Sequence, residues 1–437
     1  MDEPVFGGKL HLVEAGRHNR QTIVLVHGLG DRGILDWSRV IPRLTGNYHV
    51  IAIDLPGFGG SDTQTVQYAP EKYAQLVSWV VTTYAHDRVT VIGHSMGGAV
   101  SLRFASDYPE QVSRLVIVDA AGILQRTVFI QYLAKVPDSY EWLAPYQKSI
   151  PVLDRLIKKL AGKTDRLTRS LLVIMDRMPD IPKLMMSSGL AQKYLYKDRS
   201  TMNAALGLVY EDFSGVVREI ATPTHIIWGE QDGVAPLRTG TVLAGLMPNA
   251  ELHVVPASGH VPMMDNFDEF MTVLTYSLDN APLARQAERR LAIAEDDVGE
   301  RETIRCAGQN GLVYTGRYKT IRIQNCLGIV LRDLVAESVA LAGSEVLMEN
   351  VKLVSPGTGL EVNNSVVIAT LLEVDAKVGI EADGSYLDLA GASFVTHQKL
   401  VKIRQGSTFY FSLSENQHDH QLDILHGVSL GSQFNLH

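Results

Sequence analysis

The chain has 437 residues, 46% of them hydrophobic and 20% charged, with 37 Gly and 17 Pro. That length and balance describe about three globular domains and exclude collagen-like, disordered and disulfide-dense classes. The 40 Lys+Arg against 48 Asp+Glu leave a net charge of −8, which offers no global attraction for nucleic acid, so no such partner is expected.

No apolar run reaches the ~18 residues of a membrane span. The start, Met1-Asp-Glu-Pro-Val-Phe-Gly-Gly8, lacks the basic and apolar regions of a leader. A soluble protein is expected, cytoplasmic or, if a leader was removed, exported. Gly8 to Glu14 reads as a first strand. Nearly continuous hydrophobic runs follow at Thr22 to His27, His49 to Asp54, Val89 to Gly93 and Leu115 to Asp119, as in strands buried on both faces of a parallel sheet. Trp37 to Leu44 and Pro70 to Tyr84 have helical spacing, the latter with Tyr73, Leu76, Val77 and Val80 on one face. Two more strands, Thr224 to Trp228 and Glu251 to Val255, come only after a long gap, and Phe267 to Leu278 reads as a closing amphipathic helix. The pattern predicts an open α/β sheet over residues 1–122 and 219–280 with an insertion at 123–218.

The insertion lacks strand-like runs and predicts a helical cap. It holds 15 Lys+Arg and 9 Asp+Glu, a net of +6 that leaves −14 on the rest of the chain. Val152, Leu153, Leu156, Ile157 and Leu160 form one apolar stripe, with Arg155, Lys158 and Lys159 opposite. A solvated basic face is the plain reading; peripheral contact with an anionic membrane or lipid surface is the sharper one. Residues 281–300 are charged and read as a linker.

Residues 301–437 carry strand patterns alone, at a recurring period. Ile321, Val339, Leu360, Ile380 and Leu400 begin similar units 18, 21, 20 and 20 residues apart, each followed by a small polar residue: Cys326, Ser344, Ser365, Ser385, Ser407. A fixed period of about 20 residues with strand content predicts a parallel β-helix, an irregular sandwich being the alternative. Such a domain is a candidate for homo-oligomer or partner docking along a flat face. Cys306 and Cys326 stand one period apart, as a disulfide or as two buried thiols. His418-Asp-His420 reads as an exposed, irregular tail rather than a metal site.

The sharpest local feature is Gly93-His-Ser95-Met-Gly97, which follows a buried strand and opens a helix of small residues. A sharp strand-to-helix turn needs glycine on both sides and lifts the Ser95 hydroxyl clear of the sheet. A serine nucleophile needs a base and oxyanion donors. His27-Gly-Leu29-Gly30 follows an earlier strand and can aim backbone N–H groups inward, so the Leu29 and Met96 amides are the candidate oxyanion hole, with His27 structural. Asp232, in Gly229-Glu-Gln-Asp232-Gly, and His260, in Ser258-Gly-His260, follow later strands. Functional loops gather at the carboxyl ends of parallel strands, so Ser95, Asp232 and His260 are expected to converge.

By these blocks, with Asp54-Leu-Pro-Gly-Phe-Gly-Gly-Ser-Asp62, residues 5–280 resemble the α/β-hydrolase superfamily and its lipase/esterase branch. The resemblance implies Ser95 as nucleophile, His260 as base and then acid, and Asp232 as the orienting carboxylate. Asp119 is the alternative acid, and the Asp54–Asp62 block is a structural loop. Neither cofactor nor metal is expected. The implied reaction is hydrolysis of a small-molecule or lipid ester with an apolar acyl chain, for which Met175, Met178, Met185 and Met186 of the cap are candidate pocket residues. Carbon–carbon bond hydrolysis and thioester hydrolysis share the same triad. In a third reading, from another class, the chain is a binding or scaffold protein whose β-helix is the active part.

Overall fold

The computed structural model describes residues 1–30, 32–64, 66–124, 200–283, 302–404 and 406–426. It divides into two units, Met1–Ala284 and Arg285–His437. Most of the expected cap, its basic stripe and its four methionines, together with most of the expected linker, lie outside the described residues. Among the described residues no helix is long and apolar enough to cross a membrane.

The first unit is built on seven strands: β1 Leu12–Ala15, β2 Thr22–Val26, β3 His49–Ile53, β4 Val89–His94, β5 Val112–Val118, β6 Thr224–Gly229 and β7 Ala250–Val255. Their order is β1-β3-β2-β4-β5-β6-β7, with β1 antiparallel and every other pairing parallel. All residues of β2, β3 and β6 are buried, which explains their unbroken hydrophobic runs. Helices α1 Pro70–Tyr84, α2 Met96–Asp107, α3 Ser200–Tyr210, α4 Leu237–Leu246 and α5 Phe267–Asp279 accompany the sheet. Strand β2 pairs β3 on one side and β4 on the other, so the strand order reverses at the carboxyl ends of β2 and β4. A crevice opens at such a reversal.

Two expected elements are divided. Gly8–Lys9 pairs with Asp2–Glu3, whereas Leu12–Ala15 joins the main sheet; the Glu3 carboxylate curls the intervening turn by accepting the Val5, Phe6 and Gly8 N–H groups. The expected helix from Trp37 to Leu44 is a 3₁₀ turn, Gly33–Trp37, followed by a separate short helix, Ile41–Leu44. Pro42 has no N–H to extend the first into the second.

The second unit is all β: β8 Thr303–Ala307, β9 Val313–Gln324, β10 Ile329–Ala342, β11 Glu345–Asn363, β12 Val366–Asp383, β13 Tyr386–Ala390, β14 Ser393–Ile403, β15 Thr408–Ser412, β16 Ser414–His418 and β17 Gln421–Leu425. All pairings are parallel except the terminal β16–β17 hairpin. Ile304, Ile321, Val339, Leu360, Ile380 and Val401 follow one another in register. The sequence period placed Leu400 in that column. A register shift between Ala376 and Val378 gives β14 one extra residue and moves the column to Val401. Only Asn364 and Ser365 separate β11 from β12, too few to return the chain to the start of a parallel neighbour unless the strands themselves bend.

The recurring small residues have a physical role. The N–H groups of Cys326, Ser344, Ser365 and Ser385 donate to the hydroxyls of Ser344, Ser365, Ser385 and Ser407 at 3.0–3.2 Å. Ser344, Ser365 and Ser385 return a bond to the carbonyl two residues upstream, at 2.7–2.8 Å. Each ladder residue follows a left-handed Asn or Gly: Asn325, Gly343, Asn364, Gly384 and Gly406 have φ of 46–58°. Cys326 takes the serine place at the first rung and forms a disulfide with Cys306. The segment at His418 to His420 is no irregular tail. Asp419 and His420 form the left-handed turn of the β16–β17 hairpin, and His418 Nδ1 donates to the Thr396 carbonyl at 2.7 Å.

Ser365→Ala removes the acceptor of the buried Ser344 N–H and should cost about 1–3 kcal/mol, the penalty of an unpaired buried donor. Denaturant unfolding of the full chain measures it; wild-type stability would contradict a ladder that bears on folding.

Candidate active site

Ser95 sits between β4 and α2 with φ 54° and ψ −118°, a backbone conformation costly for a residue with a side chain. Its amide donates to the Val118 carbonyl at 2.9 Å, and its own carbonyl accepts from Gly98 and Ala121. The turn is this tight because α2 starts against β2. A Cβ on Gly97 would lie 2.2 Å from the Val26 carbonyl oxygen, and one on Gly93 would lie 2.1 Å from that of Gly97. Both flanking glycines are therefore demanded by space.

The three separated side chains meet. His260 Nε2 lies 2.9 Å from Ser95 Oγ, and His260 Nδ1 lies 2.8 Å from Asp232 Oδ2. Asp232 is buried, and its Oδ1 accepts the Val234 and Ala235 N–H groups at 2.7 and 2.9 Å. With the Nδ1–H on Asp232, the Nε2 lone pair faces the hydroxyl. The loop that carries His260 is pinned from several sides. Gly259 N–H donates to Asp265 at 2.9 Å, Ala257 N–H to Glu230 at 3.1 Å, and Gln231 N–H to the Ser258 carbonyl at 2.8 Å.

Two buried imidazoles nearby have lowered pKa values. His94 Nε2–H donates to the His260 carbonyl at 2.7 Å, and burial, aided by the His260 ring, lowers its pKa to about 3. His27 is buried and lowered for the same first reason. Its Nδ1–H donates to the Gly28 carbonyl and its Nε2 accepts the Leu55 N–H at 2.9 Å, a structural role that steadies the loop bearing Leu29. Asp54 is likewise structural: it accepts the Ile34 and Gly60 amides and the His11 ring.

Asp119, the alternative acid, faces Asp232 instead of orienting His260. It is fully buried with φ 45°, and its Oδ1 accepts the Gly229 N–H at 2.8 Å. Burial, then the charge of Asp232, pushes its pKa well above the ordinary carboxyl value. Its Oδ2 is buried and has no hydrogen-bond partner among the described residues. Sequence reasoning missed His94 as the anchor of the His260 loop; its adjacency to Ser95 was the only signal. Met96 N–H, at the first turn of α2, has no intrahelical partner by position, and the half-buried Leu29 follows β2 on the same rim.

A family model described as the alpha/beta hydrolase fold matches residues 21–267. The chain belongs to the α/β-hydrolase family. The match lies within the first unit. An uncharacterized protein of Mycobacterium tuberculosis is 29% identical over 276 residues, 62% of this chain and 78% of its own. A 2-hydroxy-6-oxononadienedioate/2-hydroxy-6-oxononatrienedioate hydrolase of a Pseudomonas species is 28% identical over 281 residues, 61% of this chain and 91% of its own. Lipase 1 of Psychrobacter immobilis is 26% identical over 267 residues, 60% of this chain and 78% of its own. Among solved structures, a hydrolase from Pseudomonas aeruginosa aligns with a TM-score of 0.46 and 19% identity over 63% of this chain and 96% of that one.

The raised pKa of Asp119 fixes the sign of a pH effect. A carboxyl with a raised folded pKa costs stability as pH rises from its ordinary value of 3.8 towards the folded one. Asp119→Asn keeps the acceptor for Gly229 and offers an N–H to Asp232. It should raise the thermal midpoint over wild type near pH 8, with the gain shrinking towards pH 4. An equal gain at both pH values, or a loss near pH 8, would contradict a raised Asp119 pKa.

Proposed function

We propose that the protein is a serine hydrolase that cleaves carboxylic esters with an apolar acyl chain through an acyl-enzyme intermediate. The observation that carries this reading is the unbroken hydrogen-bonded path from Ser95 Oγ through the His260 ring to Asp232. As Oγ attacks the acyl carbon, His260 Nε2 takes its proton, and Asp232 stabilises the imidazolium. The Leu29 and Met96 N–H groups receive the developing oxyanion. His260 then protonates the leaving alcohol, and afterwards takes a proton from the water that attacks the acyl-enzyme and regenerates Ser95.

The resemblance to Lipase 1 of P. immobilis supports the ester reading. The relatives that hydrolyse 2-hydroxy-6-oxo dienoates favour a second one, in which the same serine and histidine cleave a carbon–carbon bond beside a carbonyl. Thioester hydrolysis requires the same groups.

Ser95→Ala should lower turnover of a p-nitrophenyl acyl ester by at least ~10³-fold, as loss of an activated nucleophile does; unchanged turnover rejects the mechanism. Profiling p-nitrophenyl esters from acetate to palmitate beside an acyl thioester and a vinylogous diketone chooses the substrate class. The ester reading predicts the highest kcat/KM on a medium or long acyl ester, and a maximum on the diketone or the thioester overturns it.

A further inference from the structure

A second cluster of titratable side chains lies on the sheet well away from Ser95. His225 is the second residue of β6, while Glu251 and His253 alternate along β7, the last strand in the sheet order. The parallel register sets His225 beside Glu251 and Ile227 beside His253, and the two-residue period then turns all three side chains to one face. Ser95, Asp232 and His260 follow the carboxyl ends of their strands, whereas this trio gathers about the amino-terminal half of β6.

Three ligand-type atoms converge there. His225 Nδ1 lies 2.9 Å from His253 Nε2, and Glu251 Oε2 lies 4.0 Å from the first and 3.9 Å from the second. The point equidistant from the three lies about 2.1 Å from each, the length of a zinc–nitrogen or zinc–carboxylate bond. The surroundings hold these atoms in place. His225 Nε2 faces the Asn280 carbonyl at 3.1 Å and must carry the proton it donates, so the Nδ1 lone pair points into the triangle. Glu251 Oε2 accepts the Leu283 N–H at 2.8 Å. Arg114 donates to the same Asn280 carbonyl, and the Tyr276 ring meets both imidazoles edge-on. The His225 side chain is fully buried, while those of His253 and Glu251 are 15% and 16% exposed, which leaves a way in for an ion.

We propose that His225, Glu251 and His253 form a binding site for a divalent zinc-class cation, with the remaining coordination position open to water. Two imidazoles and one carboxylate select zinc or its neighbours over calcium and magnesium, which prefer oxygen alone. In the metal-free protein one proton lies between the two rings, since His225 Nδ1 can only accept there; the cation replaces it. The ion would tie β6 to β7 and, through Asn280 and Leu283, to the chain leaving α5. Its role is to brace the strand at the end of the sheet, separate from hydrolysis. No metal-ligand spacing marks the site in the sequence, because sheet register assembles it from residues 26 and 28 positions apart.

The test uses the full chain, stripped with a chelator and titrated with Zn2+ by calorimetry and with Co2+ by its visible absorption. Asp119, Asp232 and His260 form a second cluster of ligand-type atoms, so His260→Ala is titrated in parallel. The expected result is one high-affinity Zn2+ per chain, retained in His260→Ala and weakened at least ~100-fold in His253→Ala and in Glu251→Gln, as loss of a ligand requires. Bound Zn2+ should also raise the thermal midpoint of wild type but not of His253→Ala. Wild-type hydrolytic activity in His253→Ala shows that this variant folds. Absence of saturable Zn2+ binding, or binding that survives His253→Ala and is lost in His260→Ala, would overturn the proposal.

Discussion

The site depends on one steric constraint: the start of α2 must lie against the carboxyl end of β2 with no Cβ between them. Gly97 meets that demand and Gly93 keeps the end of β4 clear of α2, with Ser95 between them at φ 54°. The strain, about 1–3 kcal/mol for such a residue, is held by the Val118, Gly98 and Ala121 hydrogen bonds and by the buried strands on either side. Gly28 belongs to the same arrangement, since a Cβ there would lie 2.9 Å from the Ser95 Cβ. A serine lifted in this way meets the His260 imidazole, which a different loop carries.

Electrostatics around the contact follow from burial. Burial lowers the pKa of the His27 and His94 imidazoles and raises that of the Asp119 carboxyl, while the His260 ring rests on Asp232. These three groups work through hydrogen bonds. His94 holds the His260 loop by its backbone, His27 holds the turn before Leu29, and Asp119 anchors Gly229 at the mouth of the Asp232 turn. Positioning and charge are thereby divided among different residues.

Much of this was legible in the sequence because burial and turn chemistry leave strong marks. Strands covered on both faces write themselves as unbroken hydrophobic runs, and the glycine pattern around Ser95 records a packing demand that no other residue meets. The order of Ser95, Asp232 and His260 carried the convergence later seen as two short hydrogen bonds. The period of the second unit was visible because each turn repeats a left-handed Asn or Gly before a ladder residue. What escaped reading depends on register. The extra residue in β14 displaced the column from Leu400 to Val401, and the His225–Glu251–His253 trio exists only once β6 and β7 are aligned. Pro42 and Glu3 divided two elements through single-residue effects that periodicity averages away.

Covalent labelling with a fluorophosphonate, followed by peptide mapping, tests the central claim that geometry activates Ser95. Wild-type protein should take up one label per chain, on the peptide that contains Ser95, and His260→Ala should label far more slowly. Label on another residue, or equal labelling rates with and without the His260 imidazole, would contradict it.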